Sequence, residues 1–141
     1  DKNLYISVTA DILPLEDIIP MINVMLKGLD SQKEAFFSDL IDSYLPQAED
    51  WVLNLCEESE EDSTDEKRCF ITDDGNEIYL PISKEDFLAS LNLSIFVSYD
   101  EDEEDILVEG YIDCEPDYFA GHSIEFSVDS KGNFEIEGLA G

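Results

Sequence analysis

The spacing of apolar residues changes near the middle of the chain, and this change limits the possible folds more than any other feature. From about residue 14 to 57, apolar residues recur every three or four positions, as they do in amphipathic helices. From about residue 69 to 137 they alternate with polar residues, as they do in half-buried strands. The pattern predicts an α+β fold, with N-terminal helices packed on one face of a mostly antiparallel sheet. The length of 141 residues suits a single domain, residues 1–141.

The spacing of apolar residues in the first half of the chain predicts three helices before residue 57. Pro46 separates the second helix from the third, because a proline inside a helix removes a backbone hydrogen bond. Gly28 is predicted to mark the C-terminal end of the first helix. The predicted helices are Leu15–Gly28, residues 30–44 and Gln47–Glu57.

The second half predicts short strands joined by tight turns. An Asp-Gly pair within residues 73–76 lies between two alternating runs, which is a strong hairpin signal. Ser83 precedes a short helix, Lys84–Leu91, which it is placed to cap. The predicted strands are Cys69–Thr72, Glu77–Leu80, Leu93–Tyr99, Ile106–Ile112, Ser123–Asp129 and Asn133–Glu137, with a further short strand at Asn3–Thr9.

The charge of the chain is strongly negative, since 36 Asp and Glu residues face seven Lys and Arg residues, for a net charge of −29. Direct nucleic-acid binding requires basic residues that displace counterions from phosphates, so it is excluded, as is binding to anionic lipid. No apolar run is long enough to span a membrane. A field of this sign attracts a basic protein partner and speeds its encounter. The alternative is that the acids serve only solubility.

Two runs concentrate the acidic residues. Residues 57–66 have low complexity and are predicted to form a flexible acidic linker. Residues 100–105 lie between two predicted strands and are predicted to form a hairpin loop, without the spacing of a calcium-binding loop. The candidate partner-binding residues are acids of both runs and three tyrosines beside acids: Glu57, Glu58, Glu60, Glu61, Asp62, Asp100, Glu101, Asp102, Glu103, Glu104, Asp105, Tyr99, Tyr111 and Tyr118.

Residues typical of catalytic and metal sites are few. Cys56, Cys69 and Cys114 are widely spaced, with no Cys-x-x-Cys pair, which favours free thiols in the reducing cytoplasm over one disulfide and a leftover thiol. His122 is the only histidine, and no nucleophile-elbow motif accompanies it. We therefore expect no catalytic residue, no metal and no cofactor, and a structural His122 whose ring bonds a backbone carbonyl or a carboxylate.

The segment Tyr118-Phe119-Ala120-Gly121-His122-Ser123-Ile124, followed by Gly138-Leu139-Ala140-Gly141, carries a resemblance to a known group. It resembles the C-terminal signature of small uncharacterised bacterial proteins, and the resemblance implies an immunity protein that acts beside a polymorphic toxin. It does not extend into the helical half. Independently of it, Phe119 is expected to anchor the core, Gly121 to permit a tight turn and His122 to orient the loop.

Together these features predict a non-enzymatic acidic binding protein in the cytoplasm. The predicted function is that of an immunity or antitoxin-like protein that neutralises a basic partner such as a toxin nuclease. One alternative is a DNA mimic that inhibits a nucleic-acid-binding protein. Another is a bacterial domain of unknown function whose acids serve solubility, and an enzyme with carboxylate or metal chemistry is a third.

Overall fold

The computed structural model of the chain describes residues 4–8 and 15–140. Residues Asn3 and Thr9, the ends of the first predicted strand, and Gly141 lie outside the described residues. The α+β fold is confirmed. Its elements are β1 (Leu4–Val8), α1 (Leu15–Ser31), α2 (Lys33–Leu55), β2 (Glu57–Ser59), β3 (Arg68–Ile71), β4 (Glu77–Leu80), α3 (Lys84–Ser90), β5 (Leu91–Asp100), β6 (Asp105–Cys114), β7 (Ser123–Val128) and β8 (Phe134–Ala140). No helix among these described residues is long and apolar enough to cross a membrane.

The strands form two sheets, whereas the alternation alone predicts one. The larger sheet has the order β1-β5-β6-β7-β8, in which β5 to β8 form an antiparallel meander. At its edge β1 pairs with β5 in parallel, so that Leu4 lies opposite Leu93. The smaller sheet has the antiparallel order β2-β3-β4. Most pairings are antiparallel, as short connections require.

Helix α2 continues through Pro46, so the predicted helix end there and the separate third helix at residues 47–57 are wrong. Pro46 is exposed and leaves one backbone hydrogen bond unmade. The helix persists because one apolar face continues past the proline and is buried throughout. Each large apolar side chain on such a face contributes about 1.5–3 kcal/mol when fully buried. The buried residues of α2 are Phe36, Leu40, Tyr44, Ala48 and Val52.

Helix α1 continues past Gly28 to Ser31, so Gly28 does not mark its end. Close packing explains why residue 28 is a glycine, without a side chain. A Cβ on Gly28 would lie 1.7 Å from the carbonyl oxygen of Lys131, in the turn between β7 and β8. The side chain of Gln32 donates to the Gly132 carbonyl oxygen at 3.3 Å. The end of α1 therefore docks closely on the β7–β8 turn.

The predicted acidic linker is partly a strand, so the prediction of a flexible segment over residues 57–66 is wrong at its start. Strand β2 pairs with β3, with Glu58 opposite Phe70. The Glu58 carboxylate accepts two hydrogen bonds from Arg68, from Nε at 2.9 Å and from Nη2 at 2.8 Å. Residues 60–62 form a turn.

The helices and both sheets share one cluster of buried apolar residues. The inward side chains of β7, among them Phe126, are buried as the alternation predicts. The Phe126 ring meets the Phe36 ring of α2 edge to face, with centroids 5.1 Å apart. Helices thus cover one face of the larger sheet.

Candidate partner-binding face

The larger sheet has a second face, which we call the outer face. Successive strand side chains point to opposite sides, so the outer face consists of the residues that alternate with the buried ones. In β5, β6 and β7 it comprises Asn92, Ser94, Phe96, Ser98, Asp100, Asp105, Leu107, Glu109, Tyr111, Asp113, Ser123, Glu125 and Ser127. The half-exposed apolar side chains on it show that the described part of the chain leaves this face open.

Strand β6, in the middle of the sheet, presents acidic and apolar side chains alternately on the outer face. Leu107 and Tyr111 lie between the acids Asp105, Glu109 and Asp113 on this side of the strand. Leu107 is 49% exposed. Isolated exposed apolar residues are normal on a solvated face, so Leu107 alone does not mark an interaction site.

An aromatic pair lies at the centre of the outer face. Phe96 of β5 is 43% exposed and lies directly opposite Glu109 of β6. Its ring meets the Tyr111 ring with centroids 5.8 Å apart and an angle of 69° between the ring planes. Tyr111 in turn lies directly opposite Glu125 of β7. Each ring therefore has a carboxylate directly across the neighbouring strand.

The electrostatic surroundings of the pair are negative. The pKa of Tyr111 is raised above its usual value by Glu109, then by burial and by the charges of Glu125 and Glu137. No Lys or Arg occurs anywhere between Lys84 and Lys131, nor in β8. No basic side chain of β5 to β8 is therefore present to neutralise these carboxylates.

The acidic hairpin loop is continuous with the outer face. Asp100 and Asp105 form the last residue pair of β5 and β6, on the same side as Phe96. The Asp100 carboxylate orders the loop by accepting from the backbone N–H of Asp102 at 3.0 Å and of Glu103 at 3.4 Å. Residues 101–104, the tip, are exposed and comprise Glu101, Asp102, Glu103 and Glu104. Tyr99 lies beside the loop, half-buried and opposite the buried Ile106 on the other side of the sheet.

The other acidic run lies at the smaller sheet. Its residues Glu57, Glu58, Glu60, Glu61 and Asp62 are exposed, and the pKa of Glu58 is lowered chiefly by its hydrogen bonds to Arg68. The structure thus commits Glu58 to an ion pair within the chain.

Asp62, Cys69 and Glu77 form the one group of possible metal ligands among the described residues, with ligand atoms within 4.8 Å of one another. Burial raises the pKa of the Cys69 thiol, whereas metal ions bind the thiolate. Ser59 already donates to the Asp62 carboxylate at 3.1 Å, and the Tyr79 hydroxyl donates to Glu77 at 3.0 Å. These hydrogen bonds account for the positions of both carboxylates without an ion.

The C-terminal signature shapes the connection between β6 and β7. The Asp117 carboxylate accepts from the backbone N–H of Phe119 at 3.1 Å and of Gly121 at 2.7 Å. Gly121 has a φ of 86°, which glycine adopts without strain. His122 Nδ1 lies 3.0 Å from the Phe119 carbonyl oxygen, and its ring packs against Trp51 of α2 with centroids 5.1 Å apart. Phe119 is buried, so the signature fastens this connection to the helices.

Tyr118 lies in the core rather than at the surface. It is 5% exposed, and its ring stacks on Phe87 of α3 with centroids 6.2 Å apart. The prediction of Tyr118 as a partner-binding anchor is wrong, because the turn that follows Asp117 directs this ring inward. Tyr111 is the predicted tyrosine that lies on the outer face.

His122 and Ser123 do not pair as a catalytic base and nucleophile. The Ser123 hydroxyl donates to the Asp113 carboxylate on β6, in a short hydrogen bond. The His122 ring instead bonds the Phe119 carbonyl oxygen. Ser123 is therefore hydrogen-bonded to a carboxylate and not to the imidazole of His122.

A family model described as an uncharacterised protein conserved in bacteria, DUF2262, matches residues 6–139. The chain belongs to the DUF2262 family. Membership confirms the part of the predicted resemblance that concerns uncharacterised bacterial proteins. The region matched to DUF2262 contains the outer face, both acidic runs and most of the C-terminal signature. No curated protein and no solved structure matches the chain.

The candidate site of this DUF2262 protein includes residues that sequence reasoning missed. Phe96, Leu107, Glu109 and Glu125 were absent from the predicted contacts, which were chosen from acidic runs and nearby tyrosines. The sequence did contain a signal for Phe96. It lies between Ile95 and Val97, which are buried, so its side chain points to the opposite face of the strand. Their assembly depends on the pairing register of three strands, which composition does not reveal.

Proposed function

We propose that this DUF2262 protein is an acidic binding protein that neutralises a basic protein partner, in the manner of an immunity or antitoxin-like protein. A toxin nuclease is the kind of partner that the proposal envisages. The observation that carries it is the outer face, where acids alternate with exposed apolar side chains and continue into the acidic loop at residues 100–105.

Each component of the face has a separate part in binding. The negative field attracts a basic protein and raises the rate of association, whereas rim charges add little affinity. Affinity comes from aromatic and apolar anchors that are buried on contact. Phe96, Leu107 and Tyr111 are such anchors, and they lie among the carboxylates instead of apart from them.

The exposed apolar residues favour this function over the alternatives. Acids that served only solubility would need no Phe96 or Leu107 between them, since exposed apolar patches lower solubility. A DNA mimic needs carboxylates at positions that stand in for phosphates, and apolar side chains do not reproduce a phosphate backbone. We also propose that the protein acts without enzymatic activity and without a cofactor. The three free cysteines support a location in the reducing cytoplasm.

The test compares two variants of equal charge. Glu109→Gln with Glu125→Gln removes two carboxylates from the outer face, and Glu34→Gln with Asp42→Asn removes two exposed carboxylates from α2 as the matched control. The immobilised proteins are used to capture partners from the source bacterium, followed by mass spectrometry. We expect one stoichiometric basic protein that is released as salt rises, and that the outer-face variant retains less well than the control.

Two results would contradict the proposal. The first is that no basic protein is retained at low salt. The second is equal retention by the two variants, which would show that net charge matters and its location does not. In a further variant, residues 100–105 are replaced by Ser and Asn. If this variant associates with the captured partner at the wild-type rate, the loop is not part of the binding site.

A further inference from the structure

Resting on the proposed function, we propose that Phe96 and Tyr111, with the carboxylates of Glu109 and Glu125, form a receptor for an arginine side chain of the partner. An arginine of the partner is then the basic residue that the outer face binds, at the aromatic pair and the two carboxylates opposite it.

The smaller sheet contains an arginine bound in the proposed way. The Arg68 guanidinium lies 5.2 Å from the centre of the Phe70 ring and forms a two-point hydrogen bond with Glu58. Glu58 lies directly opposite Phe70 on the neighbouring antiparallel strand. A guanidinium in this protein therefore contacts both the ring and the carboxylate of a cross-strand Phe–Glu pair.

The outer face repeats the Phe–Glu pair without a basic residue of its own. Phe96 lies directly opposite Glu109 on antiparallel strands, as Phe70 lies opposite Glu58. Residues directly opposite in such a pair have Cβ atoms about 4.5–5.5 Å apart, within reach of one guanidinium. The arginine is present at the smaller sheet, whereas β5 to β8 contain no Lys or Arg.

The second ring and the second carboxylate extend the site. Tyr111 lies opposite Glu125, and its ring plane meets that of Phe96 at 69°, which makes an angled aromatic surface flanked by two acids. A planar guanidinium stacks on a ring and bonds a carboxylate at two points, whereas a lysine ammonium is a compact, strongly hydrated point charge. The site therefore favours arginine over lysine.

The experiment measures this preference with purified protein. The probes are acetylated, amidated hexapeptides of arginine and of lysine, which carry the same charge, and affinities are measured by isothermal titration calorimetry. An exposed cation–π contact corresponds to a roughly two- to fivefold effect on affinity. We expect the wild-type protein to bind the arginine peptide more tightly by about this factor.

Substitutions at two positions locate the preference. Phe96→Thr keeps a residue suited to strands and removes the ring, so the arginine preference is lost. Phe96→Tyr keeps a ring and retains the preference. Ile71→Thr is the matched control, because Ile71 is an exposed strand residue without a ring that lies opposite Glu57 and Glu77 on the smaller sheet, and this variant also retains the preference.

Equal wild-type affinity for the two peptides would overturn the inference. So would loss of the preference in Ile71→Thr to the same extent as in Phe96→Thr. Failure of the proposed function is a different result, namely the absence of a captured basic protein. A captured partner whose retention is unchanged by Phe96→Thr would preserve the function and reject the arginine receptor.

Discussion

Gly110 lies within β6, directly opposite Phe126 of β7, and the Phe126 ring occupies the space where a side chain would be. A Cβ on Gly110 would lie 2.1 Å from Cζ of that ring. Carbon atoms in ordinary contact are about 3.5–4.0 Å apart, so the ring would have to move by more than 1 Å. It is 1% exposed and packs against Phe36, which leaves it little room.

We therefore expect Gly110→Ala to lower the free energy of unfolding by about 1–3 kcal/mol, the usual cost of an overpacked core. This loss exceeds the gain of roughly 0.5–1 kcal/mol that alanine has over glycine within a strand. Urea unfolding, followed by circular dichroism, measures the change. A variant as stable as the wild-type protein would refute the packing argument.

A double variant separates the clash from other effects. Phe126→Leu removes the ring at its own cost, so combining it with Gly110→Ala should destabilise less than the sum of both changes, by at least about 0.5 kcal/mol. Gly75→Ala is the control, because Gly75 has a φ of 85° but no atom within 4 Å of an added Cβ. Its effect is expected to add to that of Phe126→Leu. Additive effects of Gly110→Ala and Phe126→Leu would reject direct contact as the cause.

Four further outcomes can be measured. Pro46→Ala should raise the free energy of unfolding, measured in urea, by about 1–3 kcal/mol, because alanine favours the helix interior and proline does not. A decrease would show that α2 requires a bend at this position. At pH 8 a disulfide reagent should label Cys56 first, because this thiol is partly exposed. Cys69 is fully buried, and Cys114 is buried with a pKa raised to about 11. Rapid labelling of Cys69 or Cys114 in the folded protein would contradict the structure. Hydrogen bonds from Asn133 lower the pKa of Asp129 in the folded state. The ionised Asp129 therefore contributes to the stability of the fold above its unfolded pKa, and this contribution is lost as the pH falls through the lowered, folded pKa. Asp129→Ala should therefore destabilise more at pH 7 than at pH 3, and equal effects at both values would exclude the linkage. Added salt should raise the thermal midpoint because it screens repulsion among the acids, and a lower midpoint would show that the acids make net favourable contacts.

Local signals in the sequence predicted local structure well. The Ser83 side chain accepts from the Asp86 backbone N–H at 3.0 Å, which is the cap that the sequence indicated for α3. The glycine of the predicted hairpin, Gly75, has the positive φ that this turn requires. Both features depend on neighbours within four residues, so a single sequence is enough to reveal them.

Features that depend on distant parts of the chain were predicted less well. Pro46 is a helix breaker by local chemistry, yet the burial of Tyr44 and Ala48 on the same face of α2 outweighs it. The acids Glu57 and Glu58 have a low preference for strands, but their backbone pairs with β3. In each case tertiary contacts decide the outcome, and they are not written in any short window of sequence.

The outer face shows the same dependence at the candidate site. The acidic loop was found because its six residues are contiguous, and Tyr111 was found because it neighbours acids. Phe96 and Glu109 lie on consecutive strands and become direct neighbours only through the antiparallel register of β5 and β6. The core position of Tyr118 depends on the turn geometry after Asp117.

The parallel pairing of β1 with β5 has a consequence for synthesis on the ribosome. Leu4 is made before both long helices and the smaller sheet, whereas its partner Leu93 is made after them. Closing a loop of this length is slow, because chain entropy is lost before the contact is gained. The meander of β5 to β8 needs only neighbouring segments, so it is expected to form first, with β1 the last strand to join the sheet. Until then the exposed edge of β5 is open to pairing with another chain, which makes the N-terminal strand a protection against misassembly.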